Sequence, residues 1–151
     1  MNSTVCIDAS LALMWLLPAE QNEAANTLRR EWYKNDIQII TASLFHAEVT
    51  SVLREQVYFD RLPPEEEEQA FSAYLEIGVK SIDSPGIQEI AWELARRFSL
   101  PRTYDMQYLA IAELNDCELW TNDRRFVDSL QGKVSRIKWV GEYDTRGHGV
   151  L

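Results

Sequence analysis

The chain has 151 residues, 46% hydrophobic and 26% charged, which fits one globular domain able to bury a core without disulfide or metal staples. Its formal net charge of −9 excludes broad electrostatic binding of nucleic acid, but not a nucleic-acid substrate at a site whose sign a metal ion reverses. No stretch approaches the roughly 18 apolar residues of a membrane span, and the N-terminus lacks a basic signal region; the expectation is a soluble cytoplasmic protein with no membrane partner.

Residues 4–8 (TVCID) are a short β-branched run that predicts a buried strand ending in Asp8. Residues 9–17 predict a helix stopped by Pro18, and residues 20–34 a longer helix with Ala24, Ala25, Leu28 and Trp32 on its inner stripe. A turn at Asn35-Asp36 precedes a second strand over 37–41. Ser43 is placed to cap a helix carrying Leu44, Phe45, Glu48, Val49, Val52 and Leu53, running to about Phe59. After a break at 60–64, residues 64–77 predict a helix with Ala70, Phe71, Tyr74 and Leu75 inward and Gly78 just past its end. A weak strand over 79–82 and a helix over 85–98 follow.

Residues 103–123 (TYDMQYLAIAELNDCELWTND) organise the rest. Asp105 opens a helix whose apolar face is Tyr108, Leu109 and Ala112, and a strand over 117–120 stops at Thr121-Asn122-Asp123. A short helix over 124–130, a last strand over 136–140 and a loose, Gly-rich tail over 141–151 complete the chain. Strands separated by helices imply a parallel sheet with helices on both faces, a three-layer α/β/α arrangement in one domain over 1–140. Cys6 and Cys117 have neither CxxC spacing nor a neighbouring histidine pair, which argues against zinc and for buried, reduced thiols.

Asp8 and Asp123 each follow a strand and precede a helix, so taken singly each reads as an N-cap. Asp105 has Thr103 as a competitor for that job. Glu48 differs: it sits four residues from both Leu44 and Val52, on an apolar face. A carboxylate there must be paired, protonated or metal-bound, and Arg54 is the arginine at hand for pairing. A parallel sheet brings the strand–helix junctions to one edge, where open α/β sheets bind ligands. Gathered carboxylates repel and raise one another's pKa, a hard cation relieves them, and an all-oxygen donor set favours Mg²⁺ or Mn²⁺.

CIDAS at Asp8, AEV at Glu48, YDMQYLAIA at Asp105 and TND at Asp123, in that order and spacing from Val5 to Val140, resemble the PIN domain, and within it the VapC-type toxins of toxin–antitoxin pairs. The resemblance implies a single PIN-like α/β/α domain and a metal-dependent endoribonuclease. Asp8, Glu48, Asp105 and Asp123 would be its acidic quartet, catalytic and metal-binding, with Thr121 as the hydroxyl residue before the last acid. It also implies hydrolysis of RNA to a 5′-phosphate and 3′-hydroxyl, a small antitoxin as protein partner, and a homodimer. Arg102, Arg124 and Arg125 are candidates for phosphate contacts, and Ser10 reads first as a helix-start residue. His46, on another helix face from Glu48, reads as a surface or supporting residue, the acids 65–68 as a solvated face, and the five tryptophans as core or interface and not as base-stacking platforms. The competing readings are a housekeeping PIN nuclease without an antitoxin, a phosphoacceptor module (which wants a lysine after its last strand, whereas Lys138 lies inside it), and a binding protein whose acids are only caps.

Overall fold

The computed structural model of the chain describes residues 3–130, 132–144 and 148–149. Five short strands, β1 (Thr4–Ile7), β2 (Gln38–Ala42), β3 (Lys80–Ile82), β4 (Leu119–Thr121) and β5 (Ile137–Trp139), form one sheet in the order β3-β2-β1-β4-β5. All neighbours pair in parallel. Parallel strands need helical crossovers that cover both faces, which is why the central strands are nearly all apolar: Cys6, Ile7 and Leu119 are fully buried.

The helices are α1 (Ala9–Leu16), α2 (Glu23–Lys34), α3 (Leu44–Tyr58), α4 (Pro64–Leu75), α5 (Ile87–Arg97), α6 (Tyr104–Leu114) and α7 (Arg124–Ser129). Helix α6 packs on β1 and β2 with α5 against its outer side, while α1 packs with α2 and with the α3–α4 pair. The result is the expected three-layer α/β/α domain. The chain steps from β1 outward to β2 and β3, then returns across the sheet to β4 on the other side of β1. The reversal leaves a crevice at the carboxyl ends of β1 and β4, where such sheets bind ligands.

Two side-chain devices hold the layers in register. A chain of edge-on aromatic contacts runs Trp15–Trp32 (6.3 Å), Trp32–Trp120 (6.2 Å) and Trp120–Tyr143 (5.8 Å), joining α1, α2, β4 and the segment after β5. The Trp15 indole donates to the Ala25 carbonyl at 2.9 Å, so its buried N–H is satisfied. Between α5 and α6, Gln88 and Gln107 donate to each other reciprocally, both at 3.0 Å.

Several boundaries differ from the sequence reading for local reasons. Helix α2 starts at Glu23 because Asn22 caps it, accepting from the Ala25 amide at 3.1 Å; the preceding Pro18–Glu20 is a separate 3₁₀ turn. Helix α5 starts at Ile87 because Gly86 adopts φ +89°, a left-handed geometry outside the helix. Strand β4 runs to Thr121, one residue further than expected, because Thr121 pairs with Trp139. Ser43 holds the cap position of α3 without a side-chain cap bond. In α4, Ala70 is buried, but Phe71 and Leu75 are turned to solvent, contrary to the inward expectation: that helix meets its neighbours along a narrow stripe. Of the tail read as loose, Val140–Glu142 is a 3₁₀ turn and β6 (Tyr143–Asp144) pairs antiparallel with β7 (His148–Gly149); residues 145–147 and 150–151 lie outside the described residues.

Candidate functional site

The sheet register places Asp8 beside Thr121. Ile7 pairs with Trp120, so the next residue of each strand stands at the shared carboxyl edge. Asp8 is 4% exposed. Its Oδ1 accepts from the Ser10 hydroxyl (2.7 Å) and the Leu11 amide (3.1 Å), and its Oδ2 from the Thr121 hydroxyl. It is therefore an N-cap of α1, as the plain reading of the sequence had it, yet capping uses only one oxygen. The Thr121 oxygen in turn accepts from the Asp123 amide at 3.0 Å, and the Ser10 oxygen from the Asn122 amide at 2.9 Å. Ser10 thus belongs to the same hydroxyl network, beyond the helix-start role its position suggested.

Asp123 also caps, accepting from the Phe126 amide at 3.2 Å. Asp105 lies in the first turn of α6, exposed, and accepts no hydrogen bond from a described residue. Glu48 projects from the half-buried flank of α3, beside the stripe of Phe45, Val49 and Leu53 that enters the core. Arg54 does not pair with it, because Arg54 reaches Glu67 at 3.2 Å. The partner of Glu48 is the Tyr108 phenol, which donates to Oε1 at 2.6 Å. Tyr108 reads in the sequence as an apolar-face residue of α6. The available signal was chemical: a buried tyrosine needs a partner for its hydroxyl.

Glu48, Asp105 and Asp123 line one cavity of about 370 Å³, together with Leu100, Pro101, Arg102 and Arg125. Asp8 is buried next to it, close enough for Asp105 to push its pKa upward. Burial raises the Asp8 carboxyl to about 6 against the opposing pull of the Thr121, Ser10 and Leu11 hydrogen bonds, and Asp105 adds repulsion. Asp105 is also raised to about 6, first by loss of solvent contact and then by the charges of Asp123 and Glu48. Although its side chain keeps substantial exposure, the charges of both Asp123 and Glu48 reach it. Burial likewise raises Glu48, with the Tyr108 hydrogen bond opposing. Of the three arginines considered, Arg102 and Arg125 line the cavity, whereas Arg124 lies over the Trp139 ring at 4.8 Å and pairs with Asp128 at 3.7 Å.

As they stand, no three His, Cys, Asp or Glu side chains among the described residues are gathered tightly enough to clasp an ion. The acids form an open crevice, not a closed cage. The donor set nonetheless fits a hard divalent cation: every candidate ligand is a carboxylate oxygen, and the pKa values, raised first by burial and at Asp8 and Asp105 also by neighbouring acids, mark charges that a cation offsets. An ion that keeps several of its waters suits an open site of this kind.

The Thr121 hydroxyl does more than any other hydrogen bond to stabilise the Asp8 charge, and its loss has a readout in stability. Thr121→Ala is expected to cost roughly 1.5–3 kcal/mol at neutral pH, the range for a buried hydrogen bond to a charged group. The deficit should shrink below pH 4, where Asp8 is protonated in both folded and unfolded chains. Equal melting of variant and parent at pH 7.5 would remove this role from Thr121.

The PIN domain family profile matches residues 5–129. VapC ribonuclease Mb0985 of Mycobacterium bovis and ribonuclease VapC9 of Mycobacterium tuberculosis are each 29% identical to this chain over 129 residues, a match covering 85% of it and 93% of theirs. In fold it is similar to the crystal structure of PAE2754 from Pyrobaculum aerophilum, with a TM-score of 0.62 and 20% identity over 91% of this chain and 90% of that one. It is similar also to a toxin–antitoxin complex from Klebsiella pneumoniae, with a TM-score of 0.62 and 16% identity over 90% of this chain and 97% of that one. The profile covers β1 through α7, the whole span that carries the acids, and this chain belongs to the PIN domain family.

Proposed function

We propose that the chain is a metal-dependent endoribonuclease and the toxin of a type II toxin–antitoxin pair. The observation that carries this reading is the crevice itself, in which acids from β1, α3, α6 and the end of β4 meet at the one edge where the strand order reverses. Two mycobacterial relatives are named VapC ribonucleases, and one structural relative is a toxin–antitoxin complex; both names support it. The cofactor would be Mg²⁺ or Mn²⁺, held by Asp105, Asp123 and the remaining acceptor position of Asp8, with Glu48 at the wall. When bound, such an ion acidifies a coordinated water and offsets charge on the phosphate oxygens.

The chain's own residues would do the rest. Glu48, held through one oxygen by Tyr108, has its other oxygen available to orient the attacking water or accept its proton. Burial raises its pKa against the opposing Tyr108 hydrogen bond, which makes it a stronger proton acceptor than an ordinary carboxylate. Thr121 and Ser10 fix the Asp8 carboxylate so that it does not swing away from the crevice. Arg102 and Arg125 flank the crevice and are positioned for phosphate contact on a chain that is otherwise acidic. The proposal includes an antitoxin that covers this face and a cytoplasmic homodimer; the exposed Tyr58, Phe59, Phe71 and Leu75 on the α3–α4 pair offer apolar surface for self-association.

The purified chain should cleave a mixed RNA pool with Mn²⁺ or Mg²⁺ and stop on chelation. Absence of cleavage with either ion would overturn the nuclease. Induced expression should halt growth, and co-expression of a small protein encoded beside it should restore growth; normal growth on induction would remove the toxin assignment. Tyr108→Phe keeps the buried ring and removes only the hydroxyl. Glu48 is only half-buried, so water can replace the hydroxyl; the melting temperature should fall by no more than a few degrees, less than for Thr121→Ala, while cleavage falls by about tenfold or more, the usual cost of losing an outer partner at a metal site. Unchanged cleavage would mean that Glu48 needs no clamp.

A further inference from the structure

Trp92 has no place in the core. Helix α5 buries Ile87, Ala91, Leu94 and Ala95, while Trp92 lies off that stripe and is 67% exposed. It forms no hydrogen bond or ring contact with a described residue. It does line a cavity of about 250 Å³ with Leu100, Pro101, Arg102 and Arg96. Leu100, Pro101 and Arg102 line the acidic crevice as well, so the indole and the acids occupy two compartments with a shared wall. Arg96 is held by Glu93. Arg102 is exposed and has no ion-pair partner among the described residues.

An exposed tryptophan is often a protein contact, but the surroundings here favour a different occupant. The chain carries a net charge of −9, yet this face presents an unpaired guanidinium between an aromatic plane and a crevice suited to a phosphodiester. That local reversal of sign, next to a stacking surface, is the combination by which proteins hold single-stranded nucleic acid. We propose that the Trp92–Arg102 cavity is a nucleobase subsite for single-stranded RNA: an unpaired base stacks on the indole, and an adjoining phosphate pairs with Arg102. Stacking is tolerant of base identity, so the subsite anchors the strand beside the crevice without reading its sequence. The inference rests on the nuclease reading and adds to it the form of the substrate, unpaired and splayed.

The test is fluorescence anisotropy of a short labelled single-stranded RNA, with the full chain carrying Asp8→Asn so that the RNA stays intact. Trp92→Ala should weaken binding by about tenfold or more and Trp92→Phe by much less, in line with measured base–aromatic stacking. Arg102→Ala should lower the salt slope by about one unit. An RNA abasic along its length should bind the parent weakly and lose nothing further in Trp92→Ala. Both residues are exposed, and matching thermal melts confirm that the variants are folded. If the chain without substitutions cleaves RNA with Mn²⁺ and Trp92→Ala still binds RNA as tightly as its parent, the subsite is overturned alone. Unchanged RNA affinity with lost affinity for a co-purifying protein reassigns the face to protein docking. If the unsubstituted chain neither binds nor cleaves RNA, the nuclease reading fails and takes the subsite with it.

Discussion

Asp105→Asn is expected to reduce metal-dependent RNA cleavage by at least roughly a thousandfold while leaving the fold intact. A metal site supplies several kcal/mol of charge stabilisation in the transition state, and each 1.36 kcal/mol is a factor of ten in rate. Two opposing effects decide what the substitution does to stability. The first turn of α6 favours a negative charge there by about 0.3–1 kcal/mol, whereas Asp123 and Glu48 disfavour it. The carboxyl sits at about 6, above the usual aspartate value near 4, so repulsion and desolvation win. No hydrogen bond from a described residue is lost. The variant should therefore melt at or slightly above the parent's temperature without metal, and Mn²⁺ should raise the parent's melting temperature but not the variant's. Retained cleavage in the purified variant would remove Asp105 from the mechanism.

Asp8→Asn should abolish cleavage too, and also make the metal-free protein more stable at neutral pH. The folded chain holds the Asp8 proton up to about pH 6, against an ordinary value of 3.8. Below pH 4 both folded and unfolded chains are protonated and the acid carries no penalty. As pH rises towards 6 the unfolded chain releases its proton first, so folding stability is progressively lost; above 6 the loss is complete. For a buried group the difference corresponds to roughly 2–3 kcal/mol, or about 4–12 °C in a chain of this size. Asparagine keeps an oxygen for Ser10 and Leu11 and offers its amide to the Thr121 oxygen, so no buried polar group is orphaned. The gain of the variant over the parent should be largest at pH 7.5 and vanish near pH 4. A variant that melts below its parent at both pH values would contradict the buried-charge account.

Which parts of the site were readable in the sequence follows from distance along the chain. The place of Asp8 and Asp123 at the carboxyl edge of the sheet is legible from position, because a strand–helix junction in a parallel sheet has a known destination; taken singly, each still reads as a cap. Capping does not use up either acid, since a cap takes one carboxylate oxygen and leaves the other. The place of Glu48 beside an apolar stripe of α3 is legible from its spacing, but its partner is not: Tyr108 is 60 positions away, and no helical period links them. The apolar stripe of α6 also concealed Tyr108, since a tyrosine with its ring in the core and its hydroxyl at a crevice has the same period as a leucine. Phe71 and Leu75, expected to face inward, are turned to solvent for the opposite reason. Hydrophobic residues predict a buried face only when a neighbour covers it, and α4 and α5 are each covered along part of their width.

The reciprocal Gln88–Gln107 amide pair joins the helix that carries Trp92 to the helix that carries Asp105. Sliding one helix past the other would break both bonds at once, at a buried Gln107 and an exposed Gln88, so the pair behaves as a latch. The span between the tryptophan and the acids is then a property of the protein and not of the bound strand. On the proposed base subsite, the cut would fall at a fixed distance from the stacked base, as on a ruler, and changing the length of either glutamine side chain should move the scissile position before it affects the speed of cutting.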